Sequence, residues 1–174
     1  PVELTIDGVT YENSTALEGA PAVLISATGV NFINLANWPV SSNLSGQPAI
    51  RLTQGGNTIV NRADAVIASY AGNQVAIEGS AGADTVDNAG AIAGWVNLSG
   101  GNDTYIAHVP ATGTSQTNVD LGNGNDIARY LLQDTIFLYP TLVGGDGFDV
   151  LEVTGRFSQI YADQVTGFEK FVLA

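Results

Sequence analysis

Four aspartates in the second half of the chain stand behind glycines: Gly82-Ala83-Asp84, Gly101-Asn102-Asp103, Gly124-Asn125-Asp126 and Gly147-Phe148-Asp149. Carboxylates in this setting suit calcium, which takes roughly six to eight hard oxygens and mixes carboxylates with the carbonyls that glycine turns expose. One expectation is therefore a row of Ca2+ sites between Asp103, Asp126 and Asp149, extended by Asp84. The other is that each aspartate accepts backbone N–H bonds at its turn, which needs no cofactor at all. The second also accounts for Gly55-Gly56-Asn57, where an asparagine occupies the same kind of turn.

Other chemistries find little to work with. The chain has no cysteine, which excludes disulfides, thiolate catalysis and cysteine metal sites. His108 is the one histidine, so no histidine pair can bind zinc, and its place beside Val109-Pro110 reads as a loop. Arg51, Arg62, Arg129, Arg156 and Lys170 do not align with one another at the coil period of the stretch in which each lies. A carboxylate–arginine groove of the kind polysaccharide cleavage needs is not expected. There is no Gly-x-Ser-x-Gly elbow and no phosphate loop. The expectation is a protein without catalysis. A net charge of −12 disfavours nucleic acid and anionic membranes as partners and permits divalent cations.

The elements that position the aspartates follow from their spacing. The aspartates lie 19, 23 and 23 residues apart, each leading into an apolar run. A turn returning at this interval, with a short strand on each side, is the mark of a solenoid. The first half repeats at 27 residues: Asn34, Asn61 and Asn88 align, as do Phe32, Ile59 and Val86, and Val23, Ile50 and Ile77, and Ala22, Ala49 and Ala76. The approach segments Val75-Ala76-Ile77, Val96-Asn97-Leu98, Val119-Asp120-Leu121 and Thr141-Leu142-Val143 each precede a glycine turn. Alternation would turn the first and third residue of each into a shared interior.

The predicted fold is all-β, a parallel β-helix (β-solenoid) of about six to seven coils, and with rungs ~4.8 Å apart a rod of roughly 30 Å. Residues 1–174 form one domain: 1–20 a cap, hairpin or first coil, 21–94 the 27-residue coils, 95–155 coils of about 23 residues, and 156–174 a final coil or cap. Residues 36–46 read as a loop excursion, and 156–165 as room for one helical turn. The asparagine column predicts a ladder of side-chain amides at a sharp, left-handed corner. Trp38, Trp95, Tyr105, Tyr130 and Tyr139 either fill corners of the coil or offer a stacking surface for sugars. Open strand edges at the two ends would allow end-to-end self-association. Pro1 implies a processed or excised chain, and no signal peptide or membrane-spanning run is present.

These residues also carry a resemblance. Gly144-Gly145-Asp146-Gly147-Phe148-Asp149-Val150-Leu151-Glu152 is similar to the nonapeptide of repeats-in-toxin calcium rolls, and Gly79 to Asp87 resembles it with one glycine missing. The wider stretch from Thr85 to Thr104, and the closing Val165 to Leu173, resemble the passenger repeats of Gram-negative autotransporters and related surface adhesins. The likeness spans about residues 20 to 174. It implies a right-handed helix and a non-catalytic adhesion or stalk module, secreted or on the outer cell surface. Its partner would be a host-surface protein or glycan, with no membrane insertion by this segment. Absence of cysteine agrees with that class. The alternative implied is a calcium-binding repeat module with a carbohydrate-binding role in a larger extracellular protein. The aspartate turn recurs once per coil here, so ion rows on both edges, as in the toxin roll, are not expected.

Overall fold

Residues 27 apart in the first half are neighbours in space: Val23 pairs with Ile50 and Ile50 with Ile77, while Phe32, Ile59 and Val86 form a second column. Further on the pairing interval becomes 23, carrying Val96 to Val119 and Val119 to Leu142. The computed structural model describes residues 3–6, 9–12, 21–35, 39–42, 46–70, 75–109, 117–133, 136–138, 140–160 and 164–174. It is an all-β solenoid of stacked parallel sheets.

Two faces run the length of the stack. The first contains Val23–Ile25, Ile50–Leu52, Val75–Glu78, Trp95–Asn97, Val119–Gly124, Leu142–Gly147 and Val165–Thr166. The second contains Asn31–Asn34, Thr58–Asn61, Thr85–Asn88, Thr104–Val109, Ile127–Leu132, Val150–Thr154 and Lys170–Leu173. A third side is built from Val40–Ser42, Val66–Ser69 and Ala91–Ala93, and later from the parallel pair Ile136–Leu138 and Phe157–Ile160. Five turns thus have a described strand on all three sides, slightly fewer than the coil count of about six to seven expected. The turn through Trp95–Asn97 and the last one contribute described strands to two sides only.

Short, β-branched segments with period-two alternation make these strands, and the alternation sets what is buried. Ile50, Ile59, Ile77, Val86, Val96, Leu98, Leu121 and Leu151 are fully enclosed, and each such side chain contributes about 1.5–3 kcal/mol on burial. The apolar columns end in the open: Phe171 pairs in register with Leu151 yet is 55% exposed, because no rung of the described chain lies beyond it.

Several local expectations change. In Thr141-Leu142-Val143 it is the middle residue that faces inward, since the 23-residue interval puts Leu142 against Val119. Val75 is displaced too: a register shift at Trp95/Val96 pairs Val96 with Ile77 and leaves Val75 against Trp95. The expected excursion over 36–46 contains the strand Val40–Ser42. The expected helical turn over 156–165 contains the strand Phe157–Ile160. Near the start, Glu3–Ile6 and Val9–Glu12 pair antiparallel as a hairpin.

Candidate functional site

The aspartates form a column at the corner between the first and second faces, and they point into it. Each carboxylate reaches back one rung and accepts the backbone N–H of its counterpart. Asp103 Oδ1 accepts from Asp84 N at 2.7 Å, Asp126 Oδ1 from Asp103 N at 2.7 Å, and Asp149 Oδ1 from Asp126 N at 2.8 Å. The same link continues in both directions. Asp84 Oδ1 accepts from Asn57 N, Asn57 Oδ1 from Val30 N, and Glu169 Oε2 from Asp149 N. The column therefore has six acceptors, from Asn57 to Glu169. Asn57, Asp84, Asp103, Asp126 and Asp149 are all at most 2% exposed.

Glycine lets the rungs close at this corner. A Cβ built on Gly124, whose φ is +148°, would lie 1.6 Å from the carbonyl oxygen of Gly101. One built on Gly147, at φ +136°, would lie 1.6 Å from the carbonyl oxygen of Gly124. Backbone packs directly on backbone there, and the left-handed dihedral excludes side chains independently. The glycine and the aspartate two residues later are thus one device: the glycine brings the rungs together and the aspartate satisfies the N–H that the turn leaves over.

The second carboxylate oxygens are not equivalent. Asp84 Oδ2 accepts from Ser80 N and Ser80 Oγ, at 3.1 and 2.8 Å. Asp103 Oδ2, Asp126 Oδ2 and Asp149 Oδ2 are buried and have no hydrogen-bond partner. Burial pushes the Asp103 carboxyl up to about 8, with the charges of Asp126 and Asp84 adding to it and the Asp84 N–H opposing. Burial lifts Asp126 to about 6, opposed by the Asp103 N–H and helped by Asp149. Asp149 is raised as well, by burial and then by Glu169 and Asp146 against the Asp126 N–H. Among the described residues no three acidic or histidine side chains come together in a way that could hold a metal ion. One oxygen of each of the four aspartates is already taken by a neighbouring rung.

The asparagines form a second interior ladder. Asn34 Nδ2 donates to Asn61 Oδ1 at 2.9 Å, and Asn61 Nδ2 to Asn88 Oδ1 at 2.8 Å. The same amides donate to the carbonyls of Val66 and Ala91, the first residues of two strands of the third side. These asparagines close strands and do not adopt the left-handed conformation expected of them; among the described residues Asp64 and Ser99 are the non-glycine residues with positive φ. In register beyond Asn88 comes Ala107, then Tyr130. Tyr105 and Tyr130 are fully buried, their rings 6.1 Å apart, and burial raises the Tyr105 hydroxyl to about 12 against the pull of Asn88 and Thr117. They fill the interior and cannot stack on a sugar. Trp95 is half-buried, and Trp38 and Tyr139 lie outside the described residues.

Charge pairs decorate the outside, and sequence reading missed them. Arg51 Nε meets Glu78 Oε2 at 2.7 Å, and Arg129 Nε meets Glu152 Oε2 at 2.6 Å, each pair in register one rung apart. His108 is a strand residue, not a loop residue, and its Nε2 lies 2.7 Å from Asp87 Oδ1. The signal was present: the arginines align with acids at the repeat interval, though not with each other. Glu169 was also missed. Gly167-Phe168-Glu169 echoes Gly147-Phe148-Asp149 at an interval of 20, with a longer side chain making the same bond. No protein-family model, curated protein or solved structure matches the chain.

Proposed function

We propose that the chain is a non-catalytic structural and adhesion module of a secreted or surface-anchored bacterial protein, similar to an autotransporter passenger. What supports this is the use made of its repeated polar residues. The aspartate and asparagine columns are spent between rungs, holding the solenoid together, and the outer faces carry paired charges. A rod built this way holds a distal surface away from its anchor. The partner would be a host-surface protein or glycan. The test is retention of beads coated with the purified protein on epithelial monolayers. Retention above albumin-coated beads is expected, and equal retention would overturn adhesion.

A calcium-binding repeat module with a carbohydrate-binding role is a second reading. The donorless oxygens of Asp103, Asp126 and Asp149 favour it, because a cation would satisfy them. It requires melting to shift on EDTA treatment and glycan binding to need calcium. The structural reading expects EDTA to leave the melting temperature unchanged.

A further inference from the structure

The outer surface of the second face differs from the rest of a strongly acidic chain. Its seven strands stack in register, and alternate residues point outward. One outward column runs Ile33, Val60, Asp87, Ile106, Arg129 and Glu152 and ends at Val172. In the column beside it Asn31, Thr58, Thr85 and Thr104 lead to Ile127, Val150 and Lys170. The chain has a net charge of −12, yet on these columns Asp87 and Glu152 are matched by Arg129 and Lys170. The outward column of the first face is unlike it: Arg51, Glu78, Asn97 and Asp120 follow one another there, with aliphatic residues only towards its ends. On the second face Asp87 Oδ1 meets His108 Nε2, and Arg129 Nε meets Glu152 Oε2. These bonds take one oxygen of Asp87 and one of the five guanidinium N–H groups of Arg129, so both can accept a further partner.

We propose that this face binds a second copy of the chain across a two-fold axis lying along the strand Thr104–Val109. Such an axis keeps the strand direction and reverses the order of the rungs, giving two sheets packed in alignment ~10 Å apart. Ile106 then meets its own counterpart on the axis, as do Thr104 and His108. Asp87, one rung before, faces Arg129 of the other copy, one rung after, and the contact occurs twice. Ile33 faces Val172, Thr85 faces Ile127 and Thr58 faces Val150. Glu152 keeps its bond to Arg129 and lays its stem against Val60 of the other copy.

The pattern of charge selects this register. Moving the axis one rung sets Arg129 on Arg129 or Asp87 on Asp87. Moving it half a rung sets Asp87 on Glu152 or on Ile106. With the axis at Ile106 all seven rungs overlap, and at ~4.8 Å per rung and ~3.3 Å per residue they cover about 500 Å² on each copy. The total of roughly 1,000 Å² is the lower bound of a specific interface, which fits a dissociation constant of roughly 10⁻⁵–10⁻⁴ M. The inference does not rest on the adhesion reading.

Sedimentation equilibrium of the purified chain from about 10 µM to about 1 mM should follow monomer converting to dimer. A chain that stays monomeric throughout would overturn the proposal. Asp87→Arg and Arg129→Asp each bring like charges together across the axis, and each variant alone should dimerise at least about tenfold more weakly. Their equimolar mixture restores opposite charges at both contacts and should associate as a heterodimer. A mixture no more associated than its two components also overturns the proposal. Circular dichroism checks that the variants fold. If either does not, Ile106→Glu sets two carboxylates on the axis at an outward, half-buried position and should weaken the dimer by about tenfold or more. Unchanged association in that variant would place the contact elsewhere and refute the face.

Discussion

Replacing Asn61 by alanine removes the centre of the asparagine ladder, and the cost can be worked bond by bond. Asn61 is fully buried. Its amide accepts from Asn34 Nδ2 and donates to Asn88 Oδ1 and to the carbonyl of Ala91. Three bonds at a net ~1 kcal/mol each amount to about 3 kcal/mol. Asn88 Oδ1 is then left buried without the Asn61 donor, which adds roughly 1–3 kcal/mol; Asn34 Nδ2 keeps its bond to the carbonyl of Val66. The expected loss is about 4–6 kcal/mol, a large part of the ~5–15 kcal/mol that stabilises a typical domain. At this chain length each kcal/mol lowers the melting temperature by roughly 2–4 °C. Urea titration followed by circular dichroism measures the loss directly. Asn61→Ala/Asn88→Ala should cost less than the two single losses added together, because the orphaned acceptor goes with its donor. A loss below about 1 kcal/mol for Asn61→Ala, or full additivity, would refute the ladder as a source of stability.

Two contrasting substitutions belong with it. Gly124→Ala places a methyl group 1.6 Å from the Gly101 carbonyl oxygen at a φ of +148°, so the corner must open. It should destabilise by more than about 4 kcal/mol or prevent soluble expression, as a thermal melt would record. Arg129→Ala breaks a charge pair whose side chains are 36% and 29% exposed, and should change stability by less than about 1 kcal/mol.

The register of the solenoid was legible because a stack of rungs repeats its apolar contacts at fixed intervals, and both intervals stand in the sequence. Which way the corner aspartates face was not. A glycine–aspartate turn looks the same in sequence whether its carboxylate meets solvent or folds back on the rung before it. The choice depends on an N–H that lies 19 or 23 residues away. The inward position of Leu142 was misplaced by counting back from the glycine turn, when the packing follows the interval from Val119. Val40–Ser42 and Ala91–Ala93 have three residues each, too short to carry a pattern of their own. His108 looked like a loop residue because Pro110 follows so closely, yet the strand runs to Val109.

Native-state hydrogen exchange at the amides of Asn57, Asp84, Asp103, Asp126 and Asp149 tests the central claim most directly. All five sit at glycine-rich corners and donate to a side chain one rung on. The inward acid column predicts protection close to that of the core strands, with exchange requiring global or near-global opening. Exchange at the rate of open turn amides would contradict it.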